Sequence, residues 1–252
     1  MRGSKHFLIA AAVAMSFGAQ SLVHAATITL NAQANGDIRG GAPDASFSRT
    51  SLAVINDDGT TAGAAKAYLR FQLPADFGTA TAVTFDISRS DSVSVYDLPY
   101  FVYGLNDGTA GETTWTQNDT YSPTGTDLTW NNAPGNDPTT TSGFVNATQV
   151  GSFTALGSRN GGLAGDSYTV SGSSLVSFVN SDTNGLITLM ISQDPAQITS
   201  SENQFASDSN TTYGLPALQL TYTPTAVPEP ASLAVICVSV PLLLSRRRQQ
   251  PR

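Results

Sequence analysis

Histidine and cysteine are nearly absent from this chain. Its two histidines, His6 and His24, stand within the first 25 residues, and its one cysteine, Cys237, stands near the end. Residues 26–226 therefore hold neither imidazole nor thiol. Ser-His-Asp and Cys-His catalysis, and zinc or iron sites built on His, are excluded there. No disulfide can form in that stretch, so a fold there relies on its apolar core. Positive charge is scarce as well. Arg39, Arg49, Lys66, Arg70, Arg89 and Arg159 face eighteen carboxylates, a net charge near −12, against −7 for the whole chain, whose other basic residues sit at its two ends. A surface of that sign with a single lysine cannot neutralise phosphates, which excludes nucleic-acid binding. Chemistry is left to Asp, Glu112, Glu202, Tyr, Arg and Lys66.

The amino end has the order of an export signal. Arg2 and Lys5 precede an apolar run from Phe7 to Phe17, and Val23-His24-Ala25 supplies small or modest side chains for signal peptidase. The run is too short to span about 30 Å of hydrocarbon. Cleavage is expected after Ala25, with residues 1–25 removed. At the other end, Val227-Pro228-Glu229-Pro230 leads into an uncharged stretch, Ala231 to Ser245, and then Arg246-Arg247-Arg248. Fifteen helical residues rise about 22 Å, which makes a marginal transmembrane helix, and Pro241 removes one of its hydrogen bonds. The arginines would stay in the cytoplasm and the bulk of the chain outside.

Those three parts in that order resemble the PEP-CTERM sorting tail. The resemblance implies transient inner-membrane anchoring in a Gram-negative-type bacterium, cutting by an exosortase near Pro228-Glu229-Pro230, and release to the cell surface or extracellular matrix. The chain then divides into residues 1–25, an exported domain at 26–226, and the tail at 227–252.

The exported domain is long enough for one real core. Leu69, Phe71 and Leu73 alternate with Tyr68, Arg70 and Gln72. Val83-Phe85-Ile87, Phe101-Tyr103-Leu105, Ile187-Leu189-Ile191 and Leu218-Leu220-Tyr222 repeat that period of two, as Ile28 and Leu30 do between threonines. This is the signature of half-buried strands, and many of them with little helix predict two packed antiparallel sheets. Ser173 to Asn180 breaks the pattern with apolar residues at helical spacing behind a serine cap. It predicts one short helix, followed by a turn at Asn184-Gly185. The Thr-rich stretch from Asn106 to Thr141 predicts a long loop anchored by Trp115, Tyr121, Leu128 and Trp130.

Four pieces, in order, resemble a DNRLRE-type domain, a jelly-roll family with carbohydrate-binding members. They are Ala67 to Pro74, Trp115 with Leu128-Thr129-Trp130-Asn131-Asn132-Ala133-Pro134, Ser174 to Met190, and Glu202 with Leu215 to Tyr222. Gln72 and Gln117 depart from the acidic residues usual at their places in that family. The resemblance implies an all-β jelly-roll sandwich with one short helix.

Trp115 and Trp130 offer flat faces suited to a pyranose ring, or equally to pinning the long loop. The Tyr96-Asp97-Leu98-Pro99-Tyr100 turn is a second aromatic candidate, with Tyr96 and Tyr100 as its stacking residues. Asp57 and Asp58, in the turn Asn56-Asp57-Asp58-Gly59, are candidate calcium ligands, although Asp-Gly is also simply a good hairpin turn. The sequence thus points to an exported, non-catalytic surface or matrix protein that binds extracellular polysaccharide. The alternatives are a matrix scaffold without a small ligand and a glycosidase or polysaccharide lyase, for which no carboxylate pair stands out.

Replacing Glu229 with Ala is expected to leave full-length precursor in the inner membrane of a host that carries an exosortase, read by blotting membrane fractions. Unchanged processing in that variant would reduce the tail to an ordinary anchor.

Overall fold

The computed structural model describes residues 24–225 apart from 48, 91, 92, 121, 122 and 124. Most of the export signal, the whole sorting tail and Tyr121 lie outside the described residues. Ala25 is exposed and leads straight into the first strand. Among the described residues no helix is long and apolar enough to cross a membrane.

The described residues form eleven strands in chain order: β1 (Ala26–Asn31), β2 (Ala34–Arg39), β3 (Ser51–Asn56), β4 (Ala64–Gln72), β5 (Thr79–Ser88), β6 (Leu98–Leu105), β7 (Ala147–Ala155), β8 (Ser167–Ser171), β9 (Leu186–Gln193), β10 (Thr199–Ala206) and β11 (Ala217–Thr223). One α-helix among the described residues, α1 (Ser173–Ser181), lies between β8 and β9. A four-stranded sheet runs β1-β11-β5-β8, and a larger one runs β10-β3-β4-β9-β6-β7 with β2 paired to β4. All the pairings are antiparallel. With β2, β3 and β10 set aside as additions, eight strands remain. The small sheet then reads first, eighth, third, sixth and the other reads second, seventh, fourth, fifth. That interleaving is the jelly-roll sandwich.

The strands form where the period of two lets one face enter the space between the sheets. Leu218, Leu220 and Tyr222 meet Val83, Phe85 and Ile87 from the neighbouring strand, and Leu69, Phe71, Ile187, Leu189 and Ile191 meet them from the opposite sheet. In β6 the inward set is Leu98, Tyr100 and Val102, not Phe101, Tyr103 and Leu105 as the alternation suggested. The reason is that β6 is covered on both faces, so both of its alternating sets are apolar and periodicity alone cannot rank them.

The second cover is the long segment between β6 and β7. It crosses the outer face of the larger sheet and forms a second core from Tyr68, Leu105, Trp115, Leu128, Trp130 and Met190. Both tryptophans are buried, so neither offers an open face to a sugar. They pin the loop. Trp130 lies over Lys66, whose Nζ is 4.6 Å from the Trp130 ring centre and 5.0 Å from that of Phe144. The same nitrogen donates to Asn136 Oδ1 at 2.8 Å and to the carbonyls of Gly143 at 2.7 Å and Asp137 at 3.2 Å. Burial pushes the Lys66 ammonium down to about 7, with the Asp137 carboxylate opposing. Three acceptors and two ring faces are nevertheless what a buried ammonium needs. Arg70 packs on Trp115 in the same way, 4.6 Å from the ring centre, and donates to the Trp115 carbonyl at 2.9 Å.

The helix caps one end of the sandwich through Leu175, Phe178 and Val179. The expected serine cap is absent. Gly172 holds the cap position at a φ of 125°, with no side-chain hydrogen bond, and Ser173 is already helical. Tertiary contacts hold the helix instead. Asn180 accepts from the Ala80 amide at 2.7 Å and donates to its carbonyl at 2.9 Å. Phe178 fills the space over Gly104, where any Cβ would lie 2.3 Å from the ring. The turn at Asn184-Gly185 forms as expected, with Gly185 at a φ of 79°.

Trp130→Ala should lower stability by about 3–5 kcal/mol, as large buried aromatics do when truncated, measured by urea unfolding. It should also expose the segment 106–146 to limited proteolysis, because Lys66 then loses one of its ring faces.

Candidate functional site

From β3 to β10 successive strands run in opposite directions, so their connections alternate between the two ends of the sandwich. The β3–β4, β5–β6, β7–β8 and β9–β10 connections share one end. They enclose a cleft of about 920 Å³. Tyr96, Val95, Asp97, Arg159, Ile198 and Asp57 form much of its wall.

Hydrogen bonds to backbone groups hold the β5–β6 and β7–β8 walls. Ser94 organises the β5–β6 turn. Its amide donates to the buried Asn203 Oδ1 at 2.8 Å, its hydroxyl accepts from the Tyr96 amide at 3.1 Å, and its carbonyl accepts from the Ser158 amide at 2.9 Å. Asp97 fastens the neighbouring loop, accepting from the Gly157 amide at 2.7 Å and from Asn160 Nδ2 at 2.8 Å. Gly157 is required for this approach, since a Cβ there would fall 2.4 Å from the Val95 carbonyl oxygen. Arg159 is thereby set over the Tyr96 ring, its guanidinium carbon 5.0 Å from the ring centre.

Tyr96 remains 50% exposed and Ile198 60%. Among the described residues the exposed large apolar side chains are Val95, Tyr96, Leu156, Leu163, Ile198 and Val145, and all but Val145 lie in the connections at this end. Interaction sites often present an apolar concentration with a polar rim. The arrangement can do two things. The Tyr96 ring can take the apolar face of a flat ligand, and the side chains of Asp57, Arg159, Gln197 and Ser201 around it can bond hydroxyl groups. Of the two carboxylates in the wall, Asp97 is already committed to Gly157 and Asn160. Asp57 is the other.

The structure brings Tyr96 and Asp57 together from positions far apart in sequence. It separates the other candidates from them. Tyr100 is fully buried, stacked on Phe153 at 5.4 Å, with its hydroxyl accepting from Asn203 Nδ2 at 3.0 Å. It cannot stack on a sugar, because it lies on the face of β6 that enters the space between the sheets. Asp58 turns back on its own loop, accepting from the Thr60 amide at 2.8 Å and hydroxyl at 2.6 Å, and these bonds lower its pKa. Asp57 and Asp58 are not a converged pair. Arg159, Ile198 and Gln197 carried no signal in the sequence, since nothing in their local pattern marks them.

At the other end, Asp107, Glu112 and Asp182 come together, with one carboxylate oxygen of each within 4.8 Å of the others. No sequence spacing announced this group, which joins the β6–β7 loop to the end of α1. Glu112 is buried and accepts from the Gly108 amide and Asn184 Nδ2, both at 3.0 Å. Asp107 accepts from the Thr183 amide and hydroxyl, each at 2.6 Å. Burial, and then the neighbouring Asp107 and Glu112 charges, push Asp182 up to about 6 although it accepts from the Gly185 amide. A proton or a cation relieves such a group, and three oxygens are half of the six that calcium takes at least.

No family model matches the chain, and no curated protein matches it. A solved structure of PNGF-II in the P21 space group is similar over 80% of this chain and 35% of that one, at 13% identity and a TM-score of 0.38.

The Asp182 carboxyl sits above its ordinary value, so its contribution to stability is complete below about pH 4 and is lost as pH rises through about 6. Asp37, buried and also pushed up to about 6 against the pull of Arg39, acts in the same direction. Asp182→Asn is therefore expected to raise the melting temperature at pH 7, leave it unchanged near pH 3.5, and remove only part of the slope between. Thermal scans across that range check it.

Proposed function

We propose that the protein is an exported, non-catalytic surface or matrix protein that holds polysaccharide in the Tyr96 cleft. The observation that carries this reading is the half-exposed Tyr96 ring, set in an open cleft at the end where the exposed apolar residues gather. Pyranose rings present an apolar face bordered by hydroxyls, and the cleft presents an aromatic face bordered by amide, hydroxyl, carboxylate and guanidinium groups. Such contacts are few, so binding to one sugar unit is weak and strength comes from repeated units along a chain.

Export fits the same reading. The positive start and apolar run before Ala25 suit signal peptidase, and the Pro228-Glu229-Pro230 tail with its terminal arginines suits an exosortase. A domain free of disulfides and near −12 in charge remains soluble outside the cell. Absence of His and Cys from residues 26–226 leaves no ready general base of imidazole type or thiol nucleophile.

The test is a glycan array on the purified protein, followed by calorimetry on the best ligand. Tyr96→Ala should weaken binding about tenfold, the equivalent of one lost stacking contact of about 1.4 kcal/mol, with the melting temperature unchanged because the ring is half in water. Trp115 and Trp130 should matter for stability and not for the ligand. Release of new reducing ends or of unsaturated sugar products from any polysaccharide in the panel would make the protein an enzyme and this reading wrong.

A further inference from the structure

A sheet that does not close on itself leaves edge strands, each with a row of unpaired amides and carbonyls. This sandwich guards its edges unequally. β10 carries Glu202 and a break in register between Thr199 and Asn203. β7 and β8 lie against each other across one side of the sandwich, with α1 packed on both. The free side of β2 is covered where the Asp37 amide donates to the Phe47 carbonyl at 3.0 Å. β1 has none of these devices. Its sequence, Ala-Thr-Ile-Thr-Leu-Asn, has no charge and no proline, and its six residues pair with β11 without a bulge. β11 occupies one side of it, and among the described residues no strand occupies the other.

Two further features bear on what could lie there. Ile28 and Leu30 point toward the core yet stay partly exposed, since the sandwich is open at this edge. The outer face beside them is almost neutral. Thr27, Thr29, Gln219, Thr221, Thr84, Thr169 and Ser171 line it, and its one charge, Asp86, is held by Thr169 at 2.7 Å and Gln219 at 2.8 Å. On a domain near −12, this is a surface that two copies can bring together without opposing carboxylates.

We infer that β1 pairs with β1 of a second copy of this chain, antiparallel and across a two-fold axis, joining two four-stranded sheets into one of eight strands. An antiparallel edge is its own complement under such an axis. Directly opposed residues of antiparallel strands share a face, so the axis must pass through a residue rather than between two. Centred on Thr29, the pairing sets Ile28 against the partner's Leu30, covers both exposed apolar side chains, and sets Thr29 against Thr29 of the partner subunit. The contact is narrow, at the small end of specific interfaces, and its affinity suits a crowded cell surface better than dilute solution.

The test is sedimentation velocity on the full-length chain in mild detergent over a hundredfold range of concentration, for wild type and three variants. The wild type should shift from monomer to dimer as concentration rises. Thr29→Lys and Thr29→Glu each place like charges face to face on the axis, and each should sediment as a monomer throughout. An equal mixture of the two should dimerise again. Thr81→Lys, exposed on β5 with β11 between it and β1, should behave as wild type. Concentration-dependent protection of the Ala26–Asn31 amides from hydrogen exchange in the wild type gives a readout that needs no variant. A wild type that stays monomeric, or association that persists in Thr29→Lys, overturns the inference. So does a mixture that fails to pair while each variant melts like wild type.

Discussion

The outer face of β4 is the constraint on which the rest of the structure depends. β4 lies in the interior of the larger sheet, so its inward set of Ala67, Leu69 and Phe71 meets the main core, while Lys66, Tyr68 and Arg70 point the other way. Those three cannot be left against bare apolar cover. An ammonium, a phenol and a guanidinium taken out of water each need partners, and without them the penalty is several kcal/mol per ion. The β6–β7 loop supplies the partners: Asn136 and two carbonyls for Lys66, the Pro134 carbonyl for Tyr68 at 3.2 Å, and the Trp115 carbonyl and ring for Arg70. The Trp-Asn-Asn-Ala-Pro string is the wiring for this. Asn132 accepts from the Thr129 amide and donates to the Asp127 carbonyl, and Asn136 donates to the Trp130 carbonyl at 2.6 Å.

Closing that face has consequences at both ends. The loop that covers it carries Asp107 and Glu112 into contact with the end of α1, so the helical end is tied down by side-chain bonds and gathers negative charge. The opposite end is spanned by four connections that bond mostly to one another and leave apolar side chains in water. One end is therefore shut by packing, and the other is available to a ligand.

Charge follows the same division. Of the six cations in residues 26–226, Arg39 and Arg49 pair with Asp37 and Asp119. Lys66 and Arg70 are enclosed under the loop, and the buried Arg89 donates to the Leu156 carbonyl at 2.6 Å. Arg159 stands out on the cleft wall, aligned on Tyr96. With cations spent inside, the surface is left acidic, and the neutral threonine face beside β1 becomes distinctive for want of charge rather than for any residue it holds.

The sequence by itself determined the sandwich. Alternating apolar residues, absence of cysteine and a helical interruption at Ser173 are local properties, and strands, core and helix followed from them. The loop from Asn106 and its tryptophan anchors were legible for the same reason. Tertiary structure alone decided which face of a doubly covered strand is inner, and so placed Tyr100 in the core while Tyr96, four residues earlier, stayed in water. It alone joined Tyr96 to Asp57 and Asp107 to Asp182. Strand order is set by which sheets can bury one another, and that is a property of the whole chain. Residues that a connection brings to the same end carry no common pattern along the sequence, because their neighbourhood is made only when the sheets close.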